Sequence, residues 1–485
     1  MNRRRFLQAA AGAAAAPALL TAQGKRRNLV FLLSDDHRFD MLSAMGHPWL
    51  ETPNLDRMIA NGVHLRNAFV TTSLCSPSRA SILSGQYVHA HRVMDNSTPL
   101  TQDLLTFPQV LQQNGYKTAF IGKWHMGGES DDPRPGFDHW ISFRGQGTYF
   151  DPTLNFNGDR RQVTGYNPEI LTEEAKKWLC ANQEGPFLLY LSHKSVHDNF
   201  APPPRYKGIY SDKPIPYPES YANTYQNYIG KPEWVYEQRW SWHGVDGLYN
   251  QRYEFPDFYR DYCECVRGLD DSIGELMNSL EELGLANDTL VIYMGDNGFQ
   301  HGEHGLIDKR TMYEPSIRVP MIAHCPDLFE KGGTVDRMCL NLDIHPTLLE
   351  AAGAPIPETV QGRSFLPLLR REEVPWRTEF VYEYFWERAY PQTPTVIGLR
   401  TDQYSYMRYH GIWAVDELYD VQKDPHQMNN LIGDVKTQNE GGPLINRFRE
   451  RNHPYYELLT DYEGRIRQIV ESTGGRMEPV WFGSA

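Results

Sequence analysis

The residues best suited to chemistry lie between positions 75 and 85, in the segment CSPSRASILSG. This segment predicts a helix that begins at Cys75, carries Pro77 in its first turn and ends at Gly85. Free N–H groups and the macrodipole make a helix N-terminus favourable for an anion. Arg79 follows Cys75 by four residues and therefore lies on the same face of the helix. Such an arrangement is suited to the binding and transfer of an anionic group, although a lone Cys-x-x-x-Arg pair is more often structural.

Two pairs of oxygen ligands follow apolar runs that are typical of buried strands. Asp35 and Asp36 come directly after one run, and Asp296 and Asn297 come shortly after another. Ligands of open α/β sheets bind at the carboxyl ends of strands, and buried neighbouring carboxylates are costly unless a cation holds them. All four side chains offer oxygen, which suits Ca²⁺ or Mg²⁺ better than Zn²⁺. The pattern predicts a site for a hard cation.

Basic and imidazole side chains follow two more predicted strands. Lys123 and His125 come after one strand, and His193 and His197 come after the other. In isolation such residues are usually found on the protein surface. Their position after buried strands instead predicts that they reach the same edge of the sheet as the oxygen ligands.

The segment at 75–85 resembles the signature of the type I sulfatases. In that family the motif cysteine is oxidised to formylglycine, and the hydrated aldehyde attacks the sulfur of a sulfate ester. The resemblance implies that a formylglycine-generating enzyme modifies Cys75. It also implies that Asp35, Asp36, Asp296 and Asn297 hold one Ca²⁺, with the modified Cys75 as a further ligand.

Other segments carry the same resemblance and imply further catalytic roles. Gly-Lys-Trp-His at 122–125 is similar to the family's Gly-Lys-x-His element, in which Lys123 binds a sulfate oxygen and His125 helps to release sulfate. Arg79 and Lys309 would complete the positive charge around the sulfate. Lys309 corresponds to the second sulfate-binding lysine of the family.

The histidine that assists the leaving group is less clearly marked. The family usually has His-x-Pro at this point, and His197 matches best by position, although Asn199 stands where proline is expected. His193 is a possible substitute. His301 and His304 either contact the substrate or belong to the loop that leads to Lys309.

Alternating buried strands and amphipathic helices predict an α/β fold with a large, mostly parallel sheet sandwiched by helices. The resemblance implies an alkaline phosphatase-like architecture with a smaller C-terminal domain of antiparallel sheet plus helix. The expected divisions are an export signal at 1–24, a catalytic domain at 25–374 with an aromatic-rich insertion at about 200–258, and an α+β domain at 375–485.

The aromatic insertion (residues 200–258) allows two interpretations. It includes Trp234, Trp240 and Trp242, and prolines interrupt its first half. It either packs as a small core of its own or lines the mouth of the pocket, where aromatic rings could stack on sugars. In the second case it would set the choice of sugar.

Composition limits the classes of function. Of 485 residues, 40% are hydrophobic and 22% are charged, as in soluble globular proteins, and the net charge is −13. Such an acidic chain is not expected to bind nucleic acid, and it can attract an anionic substrate only through locally concentrated positive charge. Six cysteines in a chain of this length do not form a disulfide scaffold.

The N-terminal residues predict export. Arg3, Arg4 and Arg5 precede Phe-Leu and an alanine-rich apolar run, as in twin-arginine signals, and their removal takes the net charge from −13 to −16. A short membrane anchor is the alternative, and no other segment is long enough to span a membrane. We therefore expect a periplasmic or secreted protein.

Together these features imply hydrolysis of sulfate esters, with a sulfated saccharide as the expected substrate. The segment Met312-Tyr313-Glu314 is most similar to glycan sulfatases of the N-acetylglucosamine-6-sulfatase type. Two alternatives remain at this point. One is a phosphate or phosphonate ester hydrolase on the same scaffold, and the other is a non-catalytic protein that binds sulfated glycans.

Overall fold

The computed structural model describes residues 26–410, 415–433 and 451–477, so the predicted export signal lies outside the described residues. The strands are β1 Asn28–Ser34, β2 Val63–Leu65, β3 Ala68–Phe69, β4 Lys117–Lys123, β5 His139–Phe143, β6 Thr153–Phe156, β7 Asp159–Gln162, β8 Phe187–Ser192, β9 Thr289–Gly295, β10 Gln300–His301, β11 Ile307–Asp308, β12 Met321–His324, β13 Gly333–Val335, β14 Cys339–Leu340, β15 Glu379–Tyr384, β16 Thr395–Thr401, β17 Tyr404–His410 and β18 Glu417–Asp420.

The longer helices are α1 Pro53–Asn61, α2 Cys75–Ser84, α3 Phe107–Gln113, α4 Asn167–Ala181, α5 Phe255–Glu282, α6 Ile344–Ala352 and α7 Tyr456–Ser472. Shorter helical segments are Val88–His91, Tyr225–Tyr228, Glu233–Gln238, Leu248–Gln251, Glu314–Ile317 and Leu366–Leu369. None of the helices in the described ranges combines the length and the apolar character that a membrane crossing needs.

Ten strands form the central sheet, in the order β13-β2-β12-β9-β1-β8-β4-β5-β6-β7. Its middle, from β9 to β5, is entirely parallel, while β12, β6 and β7 add antiparallel pairs towards the edges. This architecture confirms the prediction of a large, mostly parallel sheet. The middle strands are mostly apolar because both of their faces are covered.

Side chains of β1 alternate between two hydrophobic layers. Leu29, Phe31 and Leu33 pack into the core on one face of the sheet, and Val30 and Leu32 pack into the core on the other. All seven residues of β1 are buried. Because its side chains alternate between the two cores, β1 is packed on both faces. This packing fixes the position of Asp35 and Asp36, which directly follow the strand.

Four middle strands end at the same edge of the sheet. Ser34 of β1 is level with Gly295 of β9, Leu33 is level with Ser192 of β8, and Ser192 is level with Gly122 of β4. The loops that follow these strands therefore leave the sheet side by side. This shared edge is where the predicted site residues meet.

A second, smaller sheet lies in the C-terminal part of the chain. Strands β15 to β18 form an antiparallel meander, and helix α7 packs against β15 and β16. This arrangement confirms the expected antiparallel sheet plus helix.

The aromatic insertion connects β8 to α5 mostly through turns and short helical segments. Buried Lys231 donates from Nζ to the Tyr419 hydroxyl at 2.7 Å and to the Gln427 carbonyl at 2.6 Å, which ties the insertion to the C-terminal sheet. Further along, the Ile307 N–H donates to the His243 carbonyl at 2.9 Å. The insertion is therefore held between the C-terminal sheet and the loop that carries Lys309.

Candidate active site

As predicted, Cys75 is the first residue of helix α2, and its side chain is fully buried. The helix ends at Gly85, which adopts a left-handed conformation with φ +69°. Cys75 Sγ lies 3.5 Å from Asp35 Oδ1. Burial raises the pKa of the Cys75 thiol far above its ordinary value, even though Lys123 and Lys309 lie nearby. The unmodified thiol is therefore protonated and a poor nucleophile.

A carboxylate cluster, consisting of Asp35, Asp36 and Asp296, surrounds this position. All three side chains are buried, and the Asp36 N–H donates to Asp296 Oδ1 at 2.9 Å. Asn297 donates from Nδ2 to Asp36 Oδ1 at 2.7 Å, which joins the amide to the cluster. The structure therefore brings the four predicted oxygen ligands together beside Cys75.

Three cationic side chains balance the carboxylate cluster. Lys123 binds Asp35, and Lys309 Nζ lies 2.5 Å from Asp36 Oδ1. Arg79 donates from Nε to Asp296 Oδ2 at 2.9 Å. Because each carboxylate has a cationic partner, the buried cluster is electrically balanced.

Arg79 is almost completely buried behind the cluster. Its Nη1 donates to the Lys123 carbonyl and to Ser192 Oγ, each at 2.7 Å. The guanidinium therefore links helix α2 to the ends of β4 and β8. Its contacts are with protein groups that shape the site.

The three carboxylates differ in their affinity for protons. Burial raises the pKa of Asp36 to about 7, against the opposing charge of Lys309, and burial together with the charge of Asp35 raises the pKa of Asp296 to about 6. For Asp35, burial is outweighed by nearby cations, with Lys123 the strongest, so its pKa lies well below the ordinary value. The raised pKa values of Asp36 and Asp296 come first from the cost of burying a charged carboxylate and then from repulsion by the neighbouring carboxylates.

Two structural observations indicate that the carboxylate cluster and Asn297 fit a hard cation. Ligand atoms of Asp35, Asp36 and Cys75 all lie within 4.8 Å of one another. Asn297 Oδ1 is buried and has no hydrogen-bond partner within the described ranges, which is costly for an amide oxygen. A cation with oxygen ligands would satisfy this atom and neutralise the carboxylates.

Two of the predicted histidines stand beside the cluster. Ser76 Oγ lies 3.3 Å from His125 Nδ1, so His125 is next to the first turn of α2. His197 Nε2 lies 3.8 Å from Asp36 Oδ2. Burial, reinforced by the positive charge of Lys123, lowers the pKa of both imidazoles well below the ordinary value.

A cavity of about 260 Å³ lies beside His197 and Lys309, the two side chains that approach Asp36 of the cluster. Its lining residues come from several loops and are Asn96, Gln146, Gly147, Lys194, His197, Asp198, Asn199, Trp242, His243, Tyr249, Arg252, Asp308, Lys309, Arg310 and Tyr390. Two of the predicted catalytic residues, His197 and Lys309, are among them. The insertion supplies Trp242 and its neighbours to the wall, whereas Trp234 packs against Tyr409 and Trp240 against Tyr236, so both interpretations describe parts of this segment.

Sequence reasoning missed several wall residues. Lys194 and Arg310 add positive charge to the wall, and Gln146 accepts a hydrogen bond from Lys123. Arg310 also binds Glu387 at 2.8 Å and lies 4.1 Å above the Tyr390 ring. The position of Arg310 next to Lys309 in the chain was the available signal, whereas neither Gln146 nor Tyr390 stands in a chemical motif.

The other three predicted histidines do not line the cavity. His193 is fully buried directly after β8, and His301 lies among aromatic rings, with its centroid 4.4 Å from that of Tyr262. His304 packs against Tyr313 at a centroid distance of 4.3 Å. In this structure all three imidazoles are enclosed by protein, and of the two histidines after β8 only His197 reaches the cavity.

Comparison with known proteins agrees with this geometry. Residues 27–354 match the family described as Sulfatase, which is more than half of the chain. The chain belongs to the sulfatase family. Residues 302–453 also match the family described as N-sulphoglucosamine sulphohydrolase, C-terminal. The protein is therefore a sulfuric ester hydrolase, and family membership disfavours a purely non-catalytic role.

Two similar proteins are related along most of their length. An N-acetylglucosamine-6-O-sulfatase of Bacteroides thetaiotaomicron is 31% identical over 514 residues, which covers 92% of this sulfatase and 91% of the relative. A solved structure described as a complex with the substrate D-glucosamine-2-N,6-O-disulfate has a TM-score of 0.81 and 29% identity, and it covers 92% of this chain and 99% of the other.

The fold is also shared with enzymes that act on phosphorus. A phosphonate monoester hydrolase from Silicibacter pomeroyi has a TM-score of 0.73 at 20% identity, with coverage of 92% of this sulfatase and 95% of that chain. At this identity the likeness concerns the fold alone.

Proposed function

We propose that this sulfatase hydrolyses the 6-O-sulfate ester of a glucosamine or N-acetylglucosamine residue in a glycosaminoglycan-type saccharide. The proposed reaction uses formylglycine at position 75 and one Ca²⁺. The observation that carries the chemistry is the burial of Cys75 within contact of Asp35, inside a cluster of three carboxylates and three cations. The names of the similar proteins support the choice of sugar and sulfate position.

Asp35, Asp36, Asp296 and Asn297 would hold the cation together with the modified residue 75. When bound, Ca²⁺ and hydrated formylglycine supply positive charge and an oxygen nucleophile for attack on sulfur. An external enzyme that generates formylglycine would be required, because no reaction of the buried, protonated Cys75 thiol alone produces an aldehyde.

The side chains of the protein supply binding and proton transfer. Lys123 and Lys309, whose ammonium groups now neutralise Asp35 and Asp36, would bind the oxygens of the sulfate once the cation takes over that task. His125, beside the first turn of α2, would accept a proton as sulfate is released. Arg79 would hold Asp296 and the end of β4 in place.

His197 is the proposed partner of the leaving group. Its Nδ1 lies 2.9 Å from the Asp198 carbonyl, which can only accept, so Nδ1 carries a proton and Nε2 points towards the site. A bound sulfate ester brings negative charge, which favours the protonated imidazole. His197 could then give the Nε2 proton to the departing sugar oxygen.

The cavity wall supports a sugar as the bound alcohol. Trp242 and Tyr390 provide aromatic surface, while Asn199, Asp308 and Arg310 provide hydrogen-bonding groups. Flat apolar surface with a few fixed polar groups is typical of sugar sites. Export through the predicted leader is also part of the proposal and would give the enzyme access to extracellular saccharides.

The test is hydrolysis of defined sulfated sugars by protein produced with a formylglycine-generating enzyme. We expect release of sulfate from glucosamine 6-sulfate, little release from the 3-sulfate, and loss of activity in Cys75→Ala. Mass spectrometry of the peptide that carries residue 75 should show the aldehyde. Faster hydrolysis of a phosphonate monoester than of any sulfate ester would instead favour the alternative reaction, and binding of sulfated sugars without turnover would favour the non-catalytic alternative.

A further inference from the structure

The loop that carries His197 is held by hydrogen bonds within the loop and by one from Tyr149 outside it. Tyr149 donates from its hydroxyl to the His197 carbonyl at 2.9 Å, and Lys194 Nζ donates to the Asp198 carbonyl at 3.2 Å. The same Asp198 carbonyl accepts from His197 Nδ1 at 2.9 Å. The orientation of the imidazole therefore depends on where the peptide after Asp198 points.

The carboxylate of Asp198 is held by two neighbouring residues of the aromatic insertion. Arg252 donates from Nη2 to Asp198 Oδ2 at 2.7 Å, and the Tyr253 hydroxyl donates to Oδ1 at 3.1 Å. Arg252 also donates from Nη1 to Asn199 Oδ1. Three hydrogen bonds from two adjacent residues thus fix two consecutive residues directly after His197.

Arg252 is itself held in place by the insertion. Its guanidinium carbon lies 5.1 Å from the centroid of the Tyr249 ring and 5.3 Å from that of Trp242. Stacking on aromatic faces restricts a guanidinium that would otherwise be mobile. The orientation of this side chain is therefore set before a substrate enters.

We propose that Arg252 is a positioning residue for His197 and that it acts through Asp198. This inference rests on the proposed role of His197 towards the leaving group. As the sulfur–oxygen bond breaks, its electron pair moves to the sugar oxygen, which takes the His197 Nε2 proton. The proton reaches that oxygen only if the ring is aimed correctly, since small displacements of a catalytic group greatly reduce the rate. The insertion thus contributes to catalysis as well as to the pocket wall.

The residue at position 199 explains why the hydrogen bonds from Arg252 and Tyr253 are needed. The proline expected there from the sulfatase resemblance is replaced by Asn199, so no ring restricts the backbone after His197. Side-chain contacts from Arg252 and Tyr253 supply the restriction instead. A mobile Asp198 would leave His197 Nδ1 without a fixed acceptor.

The experiment compares two esters that differ in how much they need a proton donor. A sugar 6-sulfate releases a strongly basic alkoxide, whereas 4-nitrophenyl sulfate releases a weakly basic phenoxide. We expect Arg252→Ala to lower kcat on the sugar sulfate roughly 10–100-fold, as for other residues that orient a catalytic group, and to lower kcat on the aryl sulfate much less. His197→Ala should show the same preference more strongly.

A double-mutant cycle separates positioning from direct contact with the substrate. In the His197→Ala background, Arg252→Ala should lower kcat on the sugar sulfate by less than roughly a further twofold, because both changes remove the same function. Tyr253→Phe, which leaves the cavity wall intact, should repeat the leaving-group preference to a smaller extent. Arg205→Ala is the matched control, because Arg205 is similarly exposed and binds Glu169 and Asp271.

Equal losses of kcat on the two esters, additive effects in the double mutant, or an effect of Arg252→Ala on KM alone would overturn the positioning role. If the proposed sulfatase reaction itself is wrong, the experiment gives a different result. In that case the wild-type protein hydrolyses neither sulfate ester, or His197→Ala retains full activity on the sugar sulfate, and the inference falls with it.

Discussion

Asn297 donates a hydrogen bond from Nδ2 to Asp36 Oδ1 at 2.7 Å, and this bond leaves its own Oδ1 buried with no partner among the described residues. A buried amide oxygen without a partner costs about 1–3 kcal/mol. This free-energy cost is avoided only if another group, such as a cation, binds Asn297 Oδ1. The pair therefore connects the observed geometry to the proposed Ca²⁺ site.

The first prediction concerns metal binding. Asn297→Ala should lower the bound calcium measured by elemental analysis and reduce sulfatase activity about 10–100-fold, because one oxygen ligand and the contact to Asp36 are lost together. Excess calcium should partly restore the activity. Asn278→Ala, which changes an exposed asparagine of α5, is the control. Unchanged calcium content in Asn297→Ala would contradict this assignment.

The second prediction concerns the buried guanidinium. Arg79→Lys should lower the free energy of unfolding by about 2–4 kcal/mol, because a lysine cannot reach Asp296, the Lys123 carbonyl and Ser192 at the same time. Urea denaturation measures the change. Arg66→Lys, at an exposed ion pair, should change it by less than about 0.5 kcal/mol. A similar effect of the two substitutions would argue against the linking role of Arg79.

The third prediction concerns the aromatic wall of the cavity. Trp242→Ala should raise KM for the sugar sulfate by roughly 2–10-fold, since an aromatic contact is worth about 0.5–1.5 kcal/mol. Steady-state kinetics on glucosamine 6-sulfate would measure the effect. Tyr217→Ala removes another exposed ring that is not part of the cavity wall and should leave KM unchanged. If both variants behave like the wild type, the sugar does not stack on Trp242.

The fourth prediction concerns Lys231, which joins the insertion to the C-terminal sheet. Burial lowers its pKa in the folded protein from 10.5 to about 8. Between these values the unfolded chain binds more protons, so this group makes the folded state more stable as pH rises from 8 to 10.5. The difference in unfolding free energy between the wild type and Lys231→Met should therefore shift in favour of the wild type, by at most about 3 kcal/mol.

Denaturant unfolding at several pH values between 7 and 10.5 would measure this shift. Lys331→Met, at an exposed lysine, serves as the control for replacing a surface lysine by methionine. A pH-independent difference between the wild type and Lys231→Met would mean that Lys231 keeps its ordinary proton affinity when buried.

Local sequence patterns were sufficient to predict the strands and the helix that position the site residues. The apolar runs before Asp35 and Asp296 predicted buried strands, and the parallel middle of the sheet places the ends of those strands next to each other. Pro77 and Gly85 similarly predicted the helix that begins at Cys75. These features could be predicted because each depends on hydrophobic period or backbone preference within a few residues.

The choice among the histidines needed the tertiary structure. His193, His197 and His304 stand in segments that follow strands and His301 ends the short strand β10. The sequence could not rank the four by their distance from the cluster. Packing decides the matter: His301 is enclosed by rings such as Tyr262, while His197 faces Asp36. Such contacts join residues far apart in the chain, and no local pattern encodes them.

By itself the sequence determined the chemical groups, their order along strands and helices, and the family resemblance that relates them to sulfate esters. Only the tertiary structure decided that Arg79 lies behind the cluster, that Arg310 and Trp242 form the cavity wall, and that Arg252 reaches the loop of His197. The physical reason is that side-chain partners are selected by close packing between distant segments, whereas strand and helix positions follow from the nearest neighbours in the chain.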